Sequence, residues 1–269
     1  MQLPGGYLQG EVLVREIEFV PIDGHLELAL AEIDLARTPM PHAVSQVLAR
    51  ALALPGGHDA AAALEVARAL SVADRQYLVR ALATRLGMDH LWLTGLCQRC
   101  DERFDVEIAQ SALPVKPAGA GYPWATVDLA GTPVRVRVPN GQDQEALAHV
   151  HEPAEAQALL RARLTCGAAM EAWAWPLVEA TIEALAPEAA EEVQTSCPHC
   201  GHANQLYVDP YACLHIAGDA LFDEIHQIAS HYHWRERDIL DLPRDRRQRY
   251  LALINGARAH LPAHWATTE

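Results

Sequence analysis

The stretch Ser196–Pro210, "SCPHCGHANQLYVDP", begins with a Cys-x-x-Cys pair formed by Cys197 and Cys200. Such a pair occurs in two kinds of site with different chemistry. In a thiol–disulfide enzyme it is the active site, and its first cysteine is a nucleophile of low pKa. In a zinc ribbon it is half of a tetrahedral site, and both thiolates are unreactive metal ligands. The residues around this pair, and a second pair earlier in the chain, bear on the choice.

The second pair is Cys97 and Cys100, in the segment "CQRCDERFDVEI". Two such pairs supply the thiolates of a four-cysteine zinc site. The 96 intervening residues, 101–196, exceed the spacing of about 15–20 residues in ordinary zinc ribbons. Each pair is nevertheless followed by polar turn residues and then a strand pattern, and a folded insertion with close ends costs little entropy. We therefore predict a structural Zn²⁺ site with the ligands Cys97, Cys100, Cys197 and Cys200.

The redox alternative requires a different local structure. A thioredoxin-like pair ends a strand and opens a helix, whose dipole stabilises the thiolate. After Cys200 the sequence predicts a strand, and the 69 remaining residues contain no strand pairs to complete such a sheet. A thiol–disulfide oxidoreductase using Cys197-Pro-His-Cys200 stays the alternative, as do two unrelated reduced pairs. Cys166 and Cys213 lie in helical patterns and are predicted to be small buried side chains.

The charge of the chain argues against nucleic acid as a partner. The formal net charge is −14 over 269 residues, whereas a nucleic-acid-binding protein needs a basic face. A zinc-ribbon nucleic-acid binder is disfavoured for this reason. Four arginines near the C-terminus form a local basic exception: Arg244, Arg246, Arg247 and Arg249.

The N-terminal residues lack a basic start followed by an apolar run, so we predict no signal peptide. No stretch approaches 18 uninterrupted apolar residues, so we predict no membrane span. Four of the six cysteines fall into the two pairs, which does not resemble a secreted disulfide framework. The protein is expected to be cytoplasmic at synthesis.

Hydrophobic patterning predicts an α+β fold that is mostly helical, with a split zinc-ribbon-like β element and a C-terminal helical hairpin. The clearest helix begins at the N-cap Ser71 and ends at Gly87. A β-hairpin is predicted around Gly131, and helices from Gln142 to Glu192. The predicted segments are an N-terminal α+β region (1–110), an inserted hairpin-plus-helical region (111–192), a second knuckle (193–210) and a C-terminal helical module (211–269).

The sequence gives no positive reason to predict an enzyme. His226, His231 and His233 lie close together, but no HExxH motif accompanies them, and we interpret them as polar or half-buried residues near a helix end. No G-x-S-x-G, P-loop or G-x-G-x-x-G motif is present. We expect no catalytic residues and no small-molecule substrate.

The C-terminal stretch Leu221–Ile254, "LFDEIHQIASHYHWRERDILDLPRDRRQRYLALI", predicts a helix, a short helical turn and a last helix. It resembles a module of contractile phage tails and related injection systems. Four further blocks extend the resemblance in order: "VREIEFVPIDGHLEL", "LSVADRQYLVRAL" with "CQRC", "VRVRVPNGQDQEAL" and "CPHCGHANQLYVDPYACL". Together they resemble the T-even-type phage baseplate hub assembly chaperone family over most of the chain.

This resemblance implies a non-enzymatic role in building the baseplate of a contractile tail, with baseplate or hub proteins as partners. Whether the protein stays in the tail particle is left open. Zinc is inferred from the cysteines and not from the family. The expected partner-binding residues are the aromatic anchors Trp234 and Tyr250 and the adjacent arginines Arg244, Arg246 and Arg247.

Overall fold

A computed structural model describes residues 1–54, 59–214 and 218–259. Helices alternate along the chain with small two-stranded antiparallel sheets. The prediction of an α+β fold is thus confirmed at the level of a mixed fold, with more strand than the sequence patterns indicated.

The described residues form α-helices with the following bounds: α1 (Gly24–Ala31), α2 (Met40–Ala51), α3 (Ala60–Ala69), α4 (Val72–Arg85), α5 (Gly141–Leu147), α6 (Pro153–Leu164), α7 (Trp175–Leu185), α8 (Gly218–Tyr232), α9 (Glu236–Leu240) and α10 (Arg244–Ala259).

The strands within the same residues are β1 (Gln2–Gln9), β2 (Val12–Glu16), β3 (Glu18–Phe19), β4 (Leu52–Ala53), β5 (His90–Leu96), β6 (Arg103–Ala109), β7 (Val115–Lys116), β8 (Trp124–Leu129), β9 (Thr132–Arg137), β10 (Glu188–Ala189), β11 (Glu192–Ser196) and β12 (Ala203–Tyr207). They pair as β1 with β2, β3 with β4, β5 with β6, β7 with β10, β8 with β9 and β11 with β12.

The chain divides into two compact units. The first contains residues 1–19 and 34–214, and the second contains residues 20–33 with the described residues from 218 onward. These units differ from the four predicted segments. The predicted boundary at residue 211 lies close to the observed one, but residues 20–33 join the C-terminal unit, which the sequence did not indicate.

Helix α4 anchors the first unit, and its ends follow the predicted signals. The Ser71 hydroxyl accepts a hydrogen bond from the N–H of Asp74 at 3.1 Å, and the buried Asp74 carboxylate also accepts from the N–H groups of Gly5 and Gly6 in β1. Gly87 follows the helix with φ of 78°, a conformation that ends helices. Four apolar side chains of α4 and its C-cap are buried: Leu78, Val79, Leu82 and Leu86.

The predicted helix over the segment before the second cysteine pair is too long. Helix α7 ends at Leu185, and Ala186 is extended with φ −67° and ψ 139°. Pro187 explains this end, because a residue that precedes proline avoids the helical region. The chain then forms β10 and β11, so the second pair has a strand on each side, as the first pair does.

The second unit has its own hydrophobic core. Side chains of α8, α9 and α10 form it, namely Leu221, Ile225, Ile228, Ile239, Leu240, Leu251 and Ile254. Helix α1 packs close to α9, since a Cβ added at Gly24 would lie 2.9 Å from the Leu240 Cα. The predicted C-terminal helical hairpin is therefore a four-helix unit that includes α1.

Candidate metal centre

Two β-hairpins of the first unit present the two cysteine pairs. Hairpin β5–β6 carries Cys97 and Cys100 at its turn, and hairpin β11–β12 carries Cys197 and Cys200. In each turn the first cysteine N–H donates to a carbonyl five residues later, and its own carbonyl accepts from the residue after the second cysteine. These bonds are Cys97 N to Glu102 O (3.0 Å), Asp101 N to Cys97 O (3.0 Å), Cys197 N to His202 O (2.8 Å) and Gly201 N to Cys197 O (2.9 Å).

The residue after each pair takes the left-handed conformation that closes these turns. Asp101 has φ of 56° and Gly201 has φ of 70°. Gly and Asp are among the residues that adopt this conformation at low cost. The two loops are therefore copies of one local structure, although they lie about a hundred residues apart in the chain.

The turns bring the four cysteine sulfurs together. Cys97 Sγ lies 3.6 Å from Cys200 Sγ, and Cys100 Sγ lies 3.8 Å from Cys197 Sγ. All four sulfurs lie within 4.8 Å of one another. A tetrahedron with metal–sulfur bonds of about 2.3 Å has edges of about 3.8 Å. The cluster is thus close enough to bind a metal ion, and its donor set and spacing fit a tetrahedral thiolate site.

The surroundings of the four cysteines stabilise one thiolate but disfavour the ionisation of a further thiol beside it. Burial disfavours the Cys97 thiolate, but N–H groups of Arg99 and Cys100 and the neighbouring thiols donate to it and lower its pKa to about 6. At Cys100 the Glu102 N–H favours the thiolate, but burial and the other sulfurs outweigh it and raise the pKa to about 12. Four thiolates at this spacing therefore need a compensating cation.

Asn204 is a buried link between the two hairpins that the sequence analysis did not identify. Its side-chain oxygen accepts from the N–H of Gln98 at 3.0 Å. Its side-chain nitrogen donates to the His202 carbonyl at 2.8 Å and lies 3.8 Å from Cys97 Sγ. Such outer contacts orient the metal ligands. The sequence contains one signal for a buried residue here, because Asn204 and the buried Phe104 each lie four residues after the second cysteine of their pair.

Gly95 provides the close approach between the hairpins. A Cβ at this position would lie 2.7 Å from Leu206 Cδ2 and 2.9 Å from Phe104 Cζ. Phe104 belongs to the same buried cluster as Cys97 and Cys197. The absence of a side chain at Gly95 therefore lets the two hairpins pack with their cysteine pairs face to face.

Replacing Gly95 with valine is expected to separate the hairpins and weaken metal binding. Overpacking of this kind costs about 1–3 kcal/mol of stability. The variant should lose metal to a chelator faster than the wild type, as measured by the release of thiols over time. Thr94→Val changes an exposed neighbouring position and should release metal at the wild-type rate. Equal rates in the two variants would contradict this role of Gly95.

The surroundings of both pairs differ from a thioredoxin-type redox site. Each pair lies between two antiparallel strands, so no helix begins at either pair. Cys97 and Cys197 are buried, with 0% and 1% of their surface exposed, and Cys100 and Cys200 are half-buried. A reactive cysteine of the redox type is partly exposed, whereas Cys97 and Cys197 are buried.

The remaining described cysteine and the described histidines are not part of this cluster, although His199 and His202 lie in the turn of the second pair. Cys166 is exposed, in a turn with φ of 54°, which corrects the prediction of a buried side chain. The side chain of Cys213 lies outside the described residues. Within the described parts of the chain, the four clustered cysteines are the one group of three or more His, Cys, Asp or Glu side chains close enough to hold a metal.

The predicted partner-binding residues lie in the second unit. Trp234 is 36% exposed and contacts Tyr232 and Tyr250, with ring centroids 5.3 and 5.0 Å apart. Arg246 is exposed, and Arg244 is half-buried. The structure thus brings the two predicted aromatic anchors into one cluster.

Arg247 does not fit the predicted surface role. Its side chain is 0% exposed, and its guanidinium forms ion pairs with Glu27 at 2.5 Å and Glu224 at 3.0 Å. A residue buried in this way cannot contact a partner, because its donors are already used inside the unit. Arg247 is therefore an interior residue that ties α1 to α8 and α10.

Comparisons with known proteins identify no relative. No protein-family model, no curated protein and no solved structure matches the chain. Among the described residues, no helix combines the length and the hydrophobicity needed to cross a bilayer.

Proposed function

We propose that the protein is a non-enzymatic assembly component of a contractile tail baseplate, either a chaperone or a minor structural protein. The ordered sequence blocks that resemble the baseplate hub assembly chaperone family carry this proposal. Its partners are baseplate or hub proteins. The protein is made in the cytoplasm, and it acts by presenting surfaces to other tail proteins.

We further propose that the cysteine cluster binds one structural Zn²⁺ and forms a split zinc ribbon. The observation that carries this proposal is the approach of four sulfurs, all within 4.8 Å, from two hairpins with the same turn structure. Cys97, Cys100, Cys197 and Cys200 would hold the ion. Zn²⁺ with four thiolates has no open position for substrate, so such a site stabilises the fold.

The aromatic cluster of the second unit, formed by Tyr232, Trp234 and Tyr250, is the surface that we expect to bind protein partners. Trp234 retains a third of its surface for a partner, while Tyr232 and Tyr250 fix its ring. Aromatic residues and arginine dominate the energetics of many protein interfaces. Arg246 is exposed in the same unit, whereas the buried Arg247 is not part of this surface.

Replacing Trp234 with alanine is expected to weaken capture of hub proteins at least about tenfold, because an anchor at an interface contributes about 2 kcal/mol or more. The measurement is co-purification of tagged protein with co-expressed hub proteins. Trp173→Ala is the matched control, since Trp173 is 60% exposed and lies in the first unit. Circular dichroism checks that both variants are folded. Equal capture by folded forms of both variants would remove Trp234 from the proposed surface.

The second candidate function, thiol–disulfide exchange at Cys197 and Cys200, makes a different measurable prediction. A structural zinc protein contains one zinc per chain, and a chelator releases four thiols that were unreactive before. A redox protein is metal-free and has one thiol that reacts rapidly at neutral pH. Elemental analysis together with thiol titration, with and without chelator, separates the two functions.

A further inference from the structure

The free edge of β11 lies in a slot of the first unit that the metal site does not use. The slot has a volume of about 590 Å³ and runs along residues 187–194, opposite the first turn of α4. Val72 and Ala73 of α4 form part of its apolar lining, as do Ala189 and Val193.

The alternation of hydrogen bonds shows which backbone groups of β11 point away from β12. Val208 N donates to Glu191 O, and Cys197 N donates to His202 O, so the residues with odd numbers in β11 pair with β12. In an antiparallel pair the alternate residues direct their N–H and C=O groups to the opposite edge. Glu192 and Gln194 therefore present unpaired backbone groups, and across the described chain no strand pairs with that edge.

Three glutamates line the slot, namely Glu188, Glu191 and Glu192, and one of them forms an ion pair with a lysine. Glu191 accepts a hydrogen bond from the side chain of Gln76, and Glu192 accepts one from Gln205. An amide carries no charge, so these hydrogen bonds supply no positive charge next to either carboxylate. Neither forms an ion pair within the described residues, whereas Glu188 at the end of the slot pairs with Lys116. In the part of the chain that the structure describes, no arginine or lysine lines the slot.

We propose that this slot binds an extended, basic segment of a protein partner, which adds as a strand to the free edge of β11. The backbone groups of Glu192 and Gln194 pair with the segment, and Glu192 attracts lysine or arginine at alternate positions on its face of the added strand, while Glu191 adds negative charge on the opposite face. Val193 points to the opposite face from Glu192 and contacts small aliphatic side chains at the intervening positions of the segment. This inference names a partner chemistry for the binding role proposed above and rests on that role.

The test uses a labelled, end-capped heptapeptide of alternating lysine and valine. Fluorescence anisotropy should show binding that weakens with salt, because the attraction is between charges near solvent. A glutamate–valine heptapeptide should bind at least about tenfold more weakly. Hydrogen exchange should show that the lysine–valine peptide protects the amides of Glu192 and Gln194. Equal binding of both peptides, or no protection of these amides, would overturn the proposal.

Two variants separate backbone pairing from charge. Gln194→Pro removes one N–H from the free edge but none from the β11–β12 ladder, so the variant should keep its metal and bind the peptide at least about tenfold more weakly. Glu192→Gln should reduce both the affinity and its dependence on salt. Unchanged peptide binding in both variants would contradict the proposal, as would dimerisation through this edge in place of peptide binding.

The same variants distinguish failure of this inference from failure of the proposed function. If Gln194→Pro binds no peptide but still captures hub proteins, the slot inference fails as a partner site and the baseplate role stands. If the wild type binds the peptide through the slot but captures no hub protein, the baseplate role fails and the slot stands as a site for another basic partner.

Discussion

Replacing Cys197 with serine is expected to abolish metal binding and to lower the free energy of unfolding by several kcal/mol. Zinc sites in small zinc-binding domains contribute roughly 10–16 kcal/mol, and this contribution depends on a complete set of thiolates. Cys197 is buried beside Phe104, so the polar hydroxyl of serine would also lack a suitable partner. Elemental analysis and urea denaturation of the purified variant measure the two effects.

Cys166→Ser is the matched control for this prediction. Cys166 is an exposed free cysteine outside the cluster, so its replacement should leave the metal content unchanged and the stability within about 0.5 kcal/mol. Adding a chelator to the wild type should reproduce most of the loss seen in Cys197→Ser. A Cys197→Ser variant that keeps one metal per chain and wild-type stability would show that the cluster is not a metal site.

Replacing Arg247 with methionine is expected to destabilise the second unit by about 3–5 kcal/mol. Burial opposes the charge of this guanidinium, but hydrogen bonds and ion pairs with Glu27 and Glu224 outweigh the burial and raise its pKa. Removing the arginine leaves the buried Glu224 carboxylate without its cation and Glu27 with Arg244 as its remaining ion-pair partner among the described residues, and breaking a buried pair in this way is costly. Hydrogen exchange of the α8 and α10 amides and thermal denaturation measure the loss.

Arg246→Met tests whether the loss of stability comes from the buried ion pairs of Arg247 or from the loss of any arginine in this segment. Arg246 is the exposed neighbour, so its loss should change stability by no more than about 0.5 kcal/mol. Combining Arg247→Met with Glu27→Gln and Glu224→Gln removes all three charges and should recover part of the stability. If Arg247→Met is as stable as Arg246→Met, the buried network does not hold α1 against the C-terminal helices.

The local signals in the sequence predicted individual elements well. Ser71 and Gly87 set the limits of α4, and the strand pattern that follows Cys100 predicted β6. These predictions succeeded because capping and strand alternation depend on residues only a few positions apart. The sequence did not predict β11, because Glu192 follows a run of alanine and glutamate that is typical of helices.

The residues around the cysteines indicated that the two pairs meet, although 96 residues separate them. The similar residues after each pair predicted two like turns, and the structure has two loops with the same hydrogen bonds and brings their sulfurs together. By contrast, Gly95 could not be assigned to the cluster from the sequence. Its role depends on which hairpin packs against which, and no local pattern encodes that contact.

The arginines show most clearly what the sequence alone determined and what the tertiary structure decided. The sequence determined that Arg244, Arg246 and Arg247 share one basic segment, because charge and spacing are local properties. It could not show that Arg247 is buried, since its partner Glu27 lies 220 residues away. Only the fold, which packs residues 20–33 into the C-terminal unit, makes one arginine of this segment interior and leaves its neighbour Arg246 at the surface.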